Sequence, residues 1–127
     1  MKKAWMVWVL CGGVLLPVTG FAESEGHEGH AGGAVQSVTG EVVDLACYLG
    51  HGAGGPEHRD CAEKCIGSGL PVGIKTADAL YLVIGSDHGP ANSQLASLAA
   101  KTVVAEGTVT ERDGVHLLAL KKVTVKR

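Results

Sequence analysis

Hydrophobic and polar positions divide the chain into three regimes. Residues 4 to 16 run without a charge, residues 23 to 34 carry no large apolar side chain, and β-type patterning takes over from Val35. In "VQSVTGEVVDLA" β-branched residues partly alternate with polar ones, which predicts a long strand over 35 to 46. Gly40 inside it predicts a bulge or sharp bend. "PVGIKT" (71–76) and "ALYLVIG" (79–85) predict two further strands, joined tightly at Ala77-Asp78. "SDHGPANSQLASLAAK" opens with turn residues and becomes helical, with Leu95, Leu98 and Ala99 on one side. "TVVAEGTVTERDGVHLLALKKVTVK" predicts a hairpin around the two-residue turn Asp113-Gly114, with Gly107 bending its first arm.

The order strand, insertion, strand, strand, helix, strand, strand predicts a mainly β domain. The fold expected is a five-stranded OB-like barrel with one helix between strands 3 and 4. A second, short helix falls in a Cys/His-rich insertion between strands 1 and 2. Glycine bends in the first and fourth strands suit a small closed barrel, whose strands must coil sharply. An open five-stranded sheet with the helix across one face is the alternative. Both place the insertion between the first two strands, and in an OB-fold that loop flanks the usual ligand-binding face.

The insertion reads "CYLGHGAGGPEHRDCAEKC" over 47–65, three cysteines and two histidines in nineteen positions. Gly54-Gly55-Pro56 has the form of a helix start, with Glu57 and Asp60 in a first turn where carboxylates suit the helix dipole. Gly67 is a plausible stop. On a helix over 56–66, His58, Cys61 and Cys65 at i, i+3 and i+7 fall within about 60° of arc. Arg59, Asp60, Glu63 and Lys64 then face water. Cys47 and His51, spaced by four, are expected to end the first strand and to cover the ligand row from the other side. The five residues Cys47, His51, His58, Cys61 and Cys65 are the candidate metal ligands, of which a tetrahedral ion uses four.

The N-terminus alters how these thiols are read. "MKKAWMVWVLCGGVLLPVTGFA" (1–22) has a basic start at Lys2 and Lys3, an apolar middle and small residues at its end, the pattern of a Sec-type signal peptide. The apolar run is short for a spanning helix, so no membrane attachment is expected after cleavage. A lipoprotein reading through Cys11 is disfavoured by the bulky Leu10 before it. Loss of the leader with its two lysines leaves nine basic against thirteen acidic residues. No basic stripe remains to neutralise phosphates, so nucleic acid is not an expected partner. "ESEGHEGHAGGA" (23–34) reads as a flexible acidic tether, whose His27 and His30 could collect Cu(II) or Zn(II) weakly.

Export to a periplasmic or extracellular space implies an oxidising compartment, where thiols normally pair. Cys47, Cys61 and Cys65 are odd in number, so at least one is free, bridged to another molecule or bound to a metal. The alternative to a metal site is a disulfide from Cys47 to Cys61 or Cys65, stapling the insertion and leaving one thiol spare. Soft thiolates with imidazole suit Cu(I) and Zn(II). A structural zinc would clip the long loop, and copper would suit uptake and delivery to a periplasmic metalloprotein.

"CAEKC" (61–65) resembles the C-x3-C spacing of Sco-type periplasmic copper delivery proteins, which add a histidine. The likeness covers five residues, and the strand and helix order is not thioredoxin-like. The chain more broadly resembles small exported bacterial OB-fold proteins. "TGEVVDLACYL" leads into the barrel and "VVAEGTVTERDGVHLLAL" closes it. That resemblance implies the fold and says little of chemistry.

Other chemistries find less support. Covalent haem needs C-x-x-C-H, and Ile66 follows "CAEKC". Non-covalent haem, as in the OB-like haem chaperone of cytochrome maturation, wants a C-terminal histidine that is absent. Thioredoxin-type exchange wants C-x-x-C. Cys47 with His51, or Cys61 with His58, could form a thiolate pair, but no acid or oxyanion donor accompanies either, so an enzyme is not expected. His88 reads as a turn residue and His116 as a half-exposed strand residue. The expectation is an exported metal-binding protein, with 1–22 a signal peptide, 23–34 a tether and 35–127 the domain, its insertion 47–69 holding copper or zinc. The alternative is a partner- or ligand-binding barrel whose loop is stapled by zinc or a disulfide.

Overall fold

The structure is a computed structural model, and it describes residues 33–127. Residues 1–32, with the expected signal peptide and the histidines His27 and His30 of the expected tether, lie outside the described residues. The elements are β1 (Val35–Asp44), α1 (Leu45–His51), a 3-10 turn (Pro56–His58), α2 (Arg59–Gly67), β2 (Val72–Lys75) and β3 (Leu80–Gly85). After these come α3 (Asn92–Leu95) with a 3-10 extension (Ala96–Leu98), β4 (Thr102–Arg112) and β5 (Val115–Val125).

The five strands close into a barrel in the order β1-β2-β3-β5-β4, with β4 returning to β1. All neighbours are antiparallel except β3 and β5, which run parallel from Tyr81↔His116 to Gly85↔Leu120. α3 with its extension fills the connection from β3 to β4, as expected for an OB-like barrel. Closure gives every strand two hydrogen-bonded neighbours, so none is a free edge strand.

Two features of this closure trace directly to the sequence. At Asp113-Gly114 both φ angles are positive (52° and 82°), the backbone a two-residue hairpin turn requires to match strand twist. At Gly40 and Gly107 a side chain would run into a facing backbone carbonyl, that of Lys75 and that of Ala119 respectively. The β4–β5 register shifts at Glu106/Gly107, so the bend expected there is a bulge.

The core is aliphatic. Val38 and Val42 of β1, Val72 and Ile74 of β2, Val103 and Ala105 of β4, and Leu118 and Leu120 of β5 point into it. Leu95 and Ala99 close one end, with Leu98 packed against them. Ala62 and Ile66 of α2 belong to the same cluster, and Ile66 is fully buried. The insertion is thus part of the core wall.

Candidate metal centre

The first strand stops two residues earlier than its β-branched pattern suggests. Asp44, only 2% exposed, caps a helix there: its carboxylate accepts from Ala46 N at 3.0 Å and Cys47 N at 3.2 Å. A helix start leaves its first N–H groups without partners, and an aspartate at the N-cap satisfies them. Leu45 N donates to Pro71 O at 2.9 Å and the Leu45 side chain is buried. Gly52 ends the turn in the left-handed region at φ 71°, its N–H donating to Tyr48 O at 2.8 Å. Cys47 and His51 therefore sit on α1. The expectation that they end a strand is corrected, because the Asp44 cap overrides strand propensity. An aspartate eight residues before the glycine stop, Asp44 and Gly52, was the available signal.

α2 forms in the expected stretch but starts three residues later, at Arg59 after a 3-10 turn over Pro56–His58, and runs through Gly67. Gly55 N donates to Glu41 Oε1 at 2.6 Å, which ties the approach loop to β1. The far end of α2 is held more firmly. Leu70 N donates to Cys65 O at 3.1 Å and Ser68 Oγ to the same oxygen at 2.8 Å. Asn92 Nδ2 reaches across from α3 to Ile66 O (2.8 Å) and Leu70 O (2.7 Å). With Ala62 and Ile66 facing the core, Cys61 and Cys65 lie one residue back from each, a turn apart on one flank of the helix.

That flank meets α1. The sulfurs of Cys47, Cys61 and Cys65 all lie within 4.8 Å of one another, and none is in a disulfide. An ion with metal–sulfur bonds of about 2.3 Å holds its sulfurs roughly 4 Å apart, in trigonal or tetrahedral geometry alike. The three thiols are close enough to bind a metal ion with a small inward movement. Cys61 is exposed, while Cys47 and Cys65 are half-buried.

The protons on Cys47 and Cys65 are held by their surroundings. The hydrogen bond from the Cys47 thiol to the Asp44 carboxylate pushes its pKa up to about 12, with loss of hydration and the negative charge of Asp44 acting in the same direction. Desolvation raises the Cys65 thiol as well, helped by its hydrogen bond with Cys61; its contact with Cys47 works weakly the other way. A cation would reverse this balance, since it stabilises thiolate far more strongly than Asp44 opposes it.

The two histidines do not join the set of mutually close ligand atoms. His51 is exposed at the last residue of α1. His58 is half-buried and lines the same narrow cleft as Asp44 and Cys47, beside Ala53 and Gly54. Its backbone, at φ −98° and ψ 0°, closes the 3-10 turn before α2 begins. The 100° step that aligns Cys61 with Cys65 does not run through it. Asp44 is the residue the sequence reading missed, although an aspartate directly before an apolar helical run is an N-cap signal. His88 occupies a turn at φ 65°, and His116 lies in β5, 3.6 Å from Glu111 and beside the Tyr81 ring.

A cleft of about 560 Å³ opens on the other side of α1, walled by Leu45, Leu49, Leu80, Leu82 and Val115. Leu49 and Val115 are 70% and 58% exposed. Among the described residues no helix is long and apolar enough to cross a membrane. No protein-family model matches the chain, and no curated protein and no solved structure matches it.

Proposed function

We propose that this protein is an exported metal-binding protein that holds one soft ion, copper or zinc, between Cys47, Cys61 and Cys65. The observation that carries the reading is the convergence of three unpaired thiols from two separate helices to within 4.8 Å. Sulfurs brought together from α1 and α2 without a disulfide are suited to a thiophilic cation. Zn(II) would seek a fourth ligand, and His58, which lines the same cleft as Cys47, is a candidate. Cu(I) is content with three sulfurs, which makes copper the better match to the set that converges. Carriage to another periplasmic metalloprotein is the role we infer, with no catalytic step assigned to the site.

The alternative, a ligand-binding barrel whose metal merely clips the loop, draws support from the apolar cleft beside α1. The burial of Ala62 and Ile66 weighs against it, because α2 is already fastened to the core by its own side chains. Metal analysis of the purified protein under mild reductant tests the proposal. One equivalent of copper or zinc, lost in a Cys47→Ser, Cys61→Ser, Cys65→Ser triple variant, is the expected result. A chain that binds neither ion when reduced refutes it. Chelation that removes the ion while the fold persists supports carriage; unfolding on chelation supports the clip.

A further inference from the structure

The three sulfurs are not equivalent, and the difference gives the site a direction. Cys61 is exposed, on the first half of α2, just after the 3-10 turn Pro56–His58. α2 has no side-chain cap at that end. Cys65 is half-buried at the end of α2 that Leu70, Ser68 and Asn92 tie down. Cys47 is half-buried on the first turn of α1, whose backbone is fixed by the buried Asp44. Two sulfurs are therefore set in fastened backbone and shielded, and one stands in solvent at the less fastened end.

Ligand exchange at a closed-shell ion proceeds by approach of a new donor and departure of an old one. The approaching donor must come from solvent, and the departing thiolate must be able to reach water and a proton. Only the Cys61 side meets both requirements. We infer that a Cu(I) ion held by this cluster leaves through Cys61, to an acceptor that presents a thiol, while Cys47 and Cys65 retain it until the acceptor has bound.

The inference rests on the reading of the cluster as an ion site. In the exchange the acceptor's sulfur forms a bond to copper and the copper–Sγ bond to Cys61 breaks. The proton of the incoming thiol passes to the Cys61 thiolate. Copper stays Cu(I) throughout, and no electron moves. The acceptor so defined is a thiol-bearing molecule or protein whose sulfur stands clear of its own surface, able to reach the exposed flank of α2.

The test uses the reduced protein loaded anaerobically with one equivalent of Cu(I). Limited iodoacetamide treatment, followed by native mass measurement and peptide mapping, reports which sulfur comes off the ion. The expected result is Cys61 modified at least about tenfold faster than Cys47 or Cys65, with copper still present on the singly modified chain. Transfer of Cu(I) to glutathione is then timed in Cys61→Ser, whose position is already open. It should run roughly tenfold faster than in the unaltered protein, while Cys47→Ser and Cys65→Ser fail to hold Cu(I) against glutathione at the outset. First modification at Cys47 or Cys65, or equal loss of Cu(I) retention in all three variants, overturns the direction but leaves the ion site standing. An unaltered protein that retains no Cu(I) against glutathione overturns both.

Discussion

Replacing Asp44 by asparagine separates the two jobs this side chain performs. Its carboxylate caps α1 through Ala46 N and Cys47 N, and it holds the proton on Cys47. Asparagine caps a helix about as well as aspartate, so the fold should persist. The hold on the proton should not, because an amide carries no charge. The Cys47 thiol stands at about 12 against an ordinary value of 9.0, and the largest cause is the Asp44 hydrogen bond. At pH 8 a thiol of pKa 12 is ionised to about one part in ten thousand and one of pKa 9 to about one part in ten. Full relaxation would raise the thiolate population about a thousandfold. The less basic thiolate is also a poorer nucleophile, by roughly 15- to 30-fold over three units. Desolvation and the neighbouring thiols remain in the variant, so part of the shift remains too. The net expectation is iodoacetamide modification of Cys47 in metal-free Asp44→Asn about 10- to 50-fold faster than in the unaltered protein at pH 8. Peptide mapping of the alkylated protein gives the rate at this one site, and far-UV circular dichroism checks the fold. A rate within twofold of the unaltered protein, in a folded variant, would refute the idea that Asp44 governs this thiol.

Three further outcomes follow from the same arrangement. Cys47 and Cys65 both hold their protons at neutral pH, so binding of a divalent or monovalent ion should release at least two protons; calorimetry in buffers of different ionisation enthalpy reads this, and affinity should drop at least about a hundredfold for each unit of acidification below neutrality. The folded value of Cys47 lies above its unfolded value, so the folded state keeps a proton the unfolded chain gives up. The stabilisation is complete below about pH 9 and is lost as pH rises toward about 12, and thermal unfolding of the metal-free protein should show a decline over that window that is shallower in Cys47→Ser. Ile66→Ala should lower stability by about 2–5 kcal/mol in urea unfolding, since a fully buried side chain is removed from the wall between α2 and the barrel; metal retention should weaken with it as α2 loosens.

Much of this architecture can be read from the residues. The strands follow their alternation, the Asp113-Gly114 turn has the backbone its composition demands, and Gly40 and Gly107 lie where neighbouring strands approach too closely for any side chain. Cys61 and Cys65 converge because a four-residue step on a helix keeps one flank, a local rule that tertiary context leaves intact. What escaped the residues was α1. "VVDLACYL" has strand composition, and only the satisfaction of orphan N–H groups by Asp44 makes a helix there. Cys47 reaches the other sulfurs by this turn. The approach of two short helices is a long-range packing result, set by Leu45 and Ile66 seating in different parts of the barrel wall, and periodicity carries no information about it.

The relation between packing and site bears on what an ion would do here. In a domain too small to fold unaided, the free energy of metal binding is consumed in folding the chain around the ion, and the ion leaves only as the chain unfolds. Here the insertion is fastened by other means: Ile66 and Ala62 in the core, Asn92 on two carbonyls, Glu41 on Gly55 and Asp44 on the start of α1. The thiols are already gathered before any ion arrives, and Asp44 and desolvation hold the protons on Cys47 and Cys65. An entering ion must displace those protons, and an arriving proton helps it go. Binding free energy spent against protons rather than on folding is released when a competing thiol supplies a proton, which is the condition for moving an ion between proteins without unfolding either. A clip has no need of this arrangement; the carriage proposed for this site does.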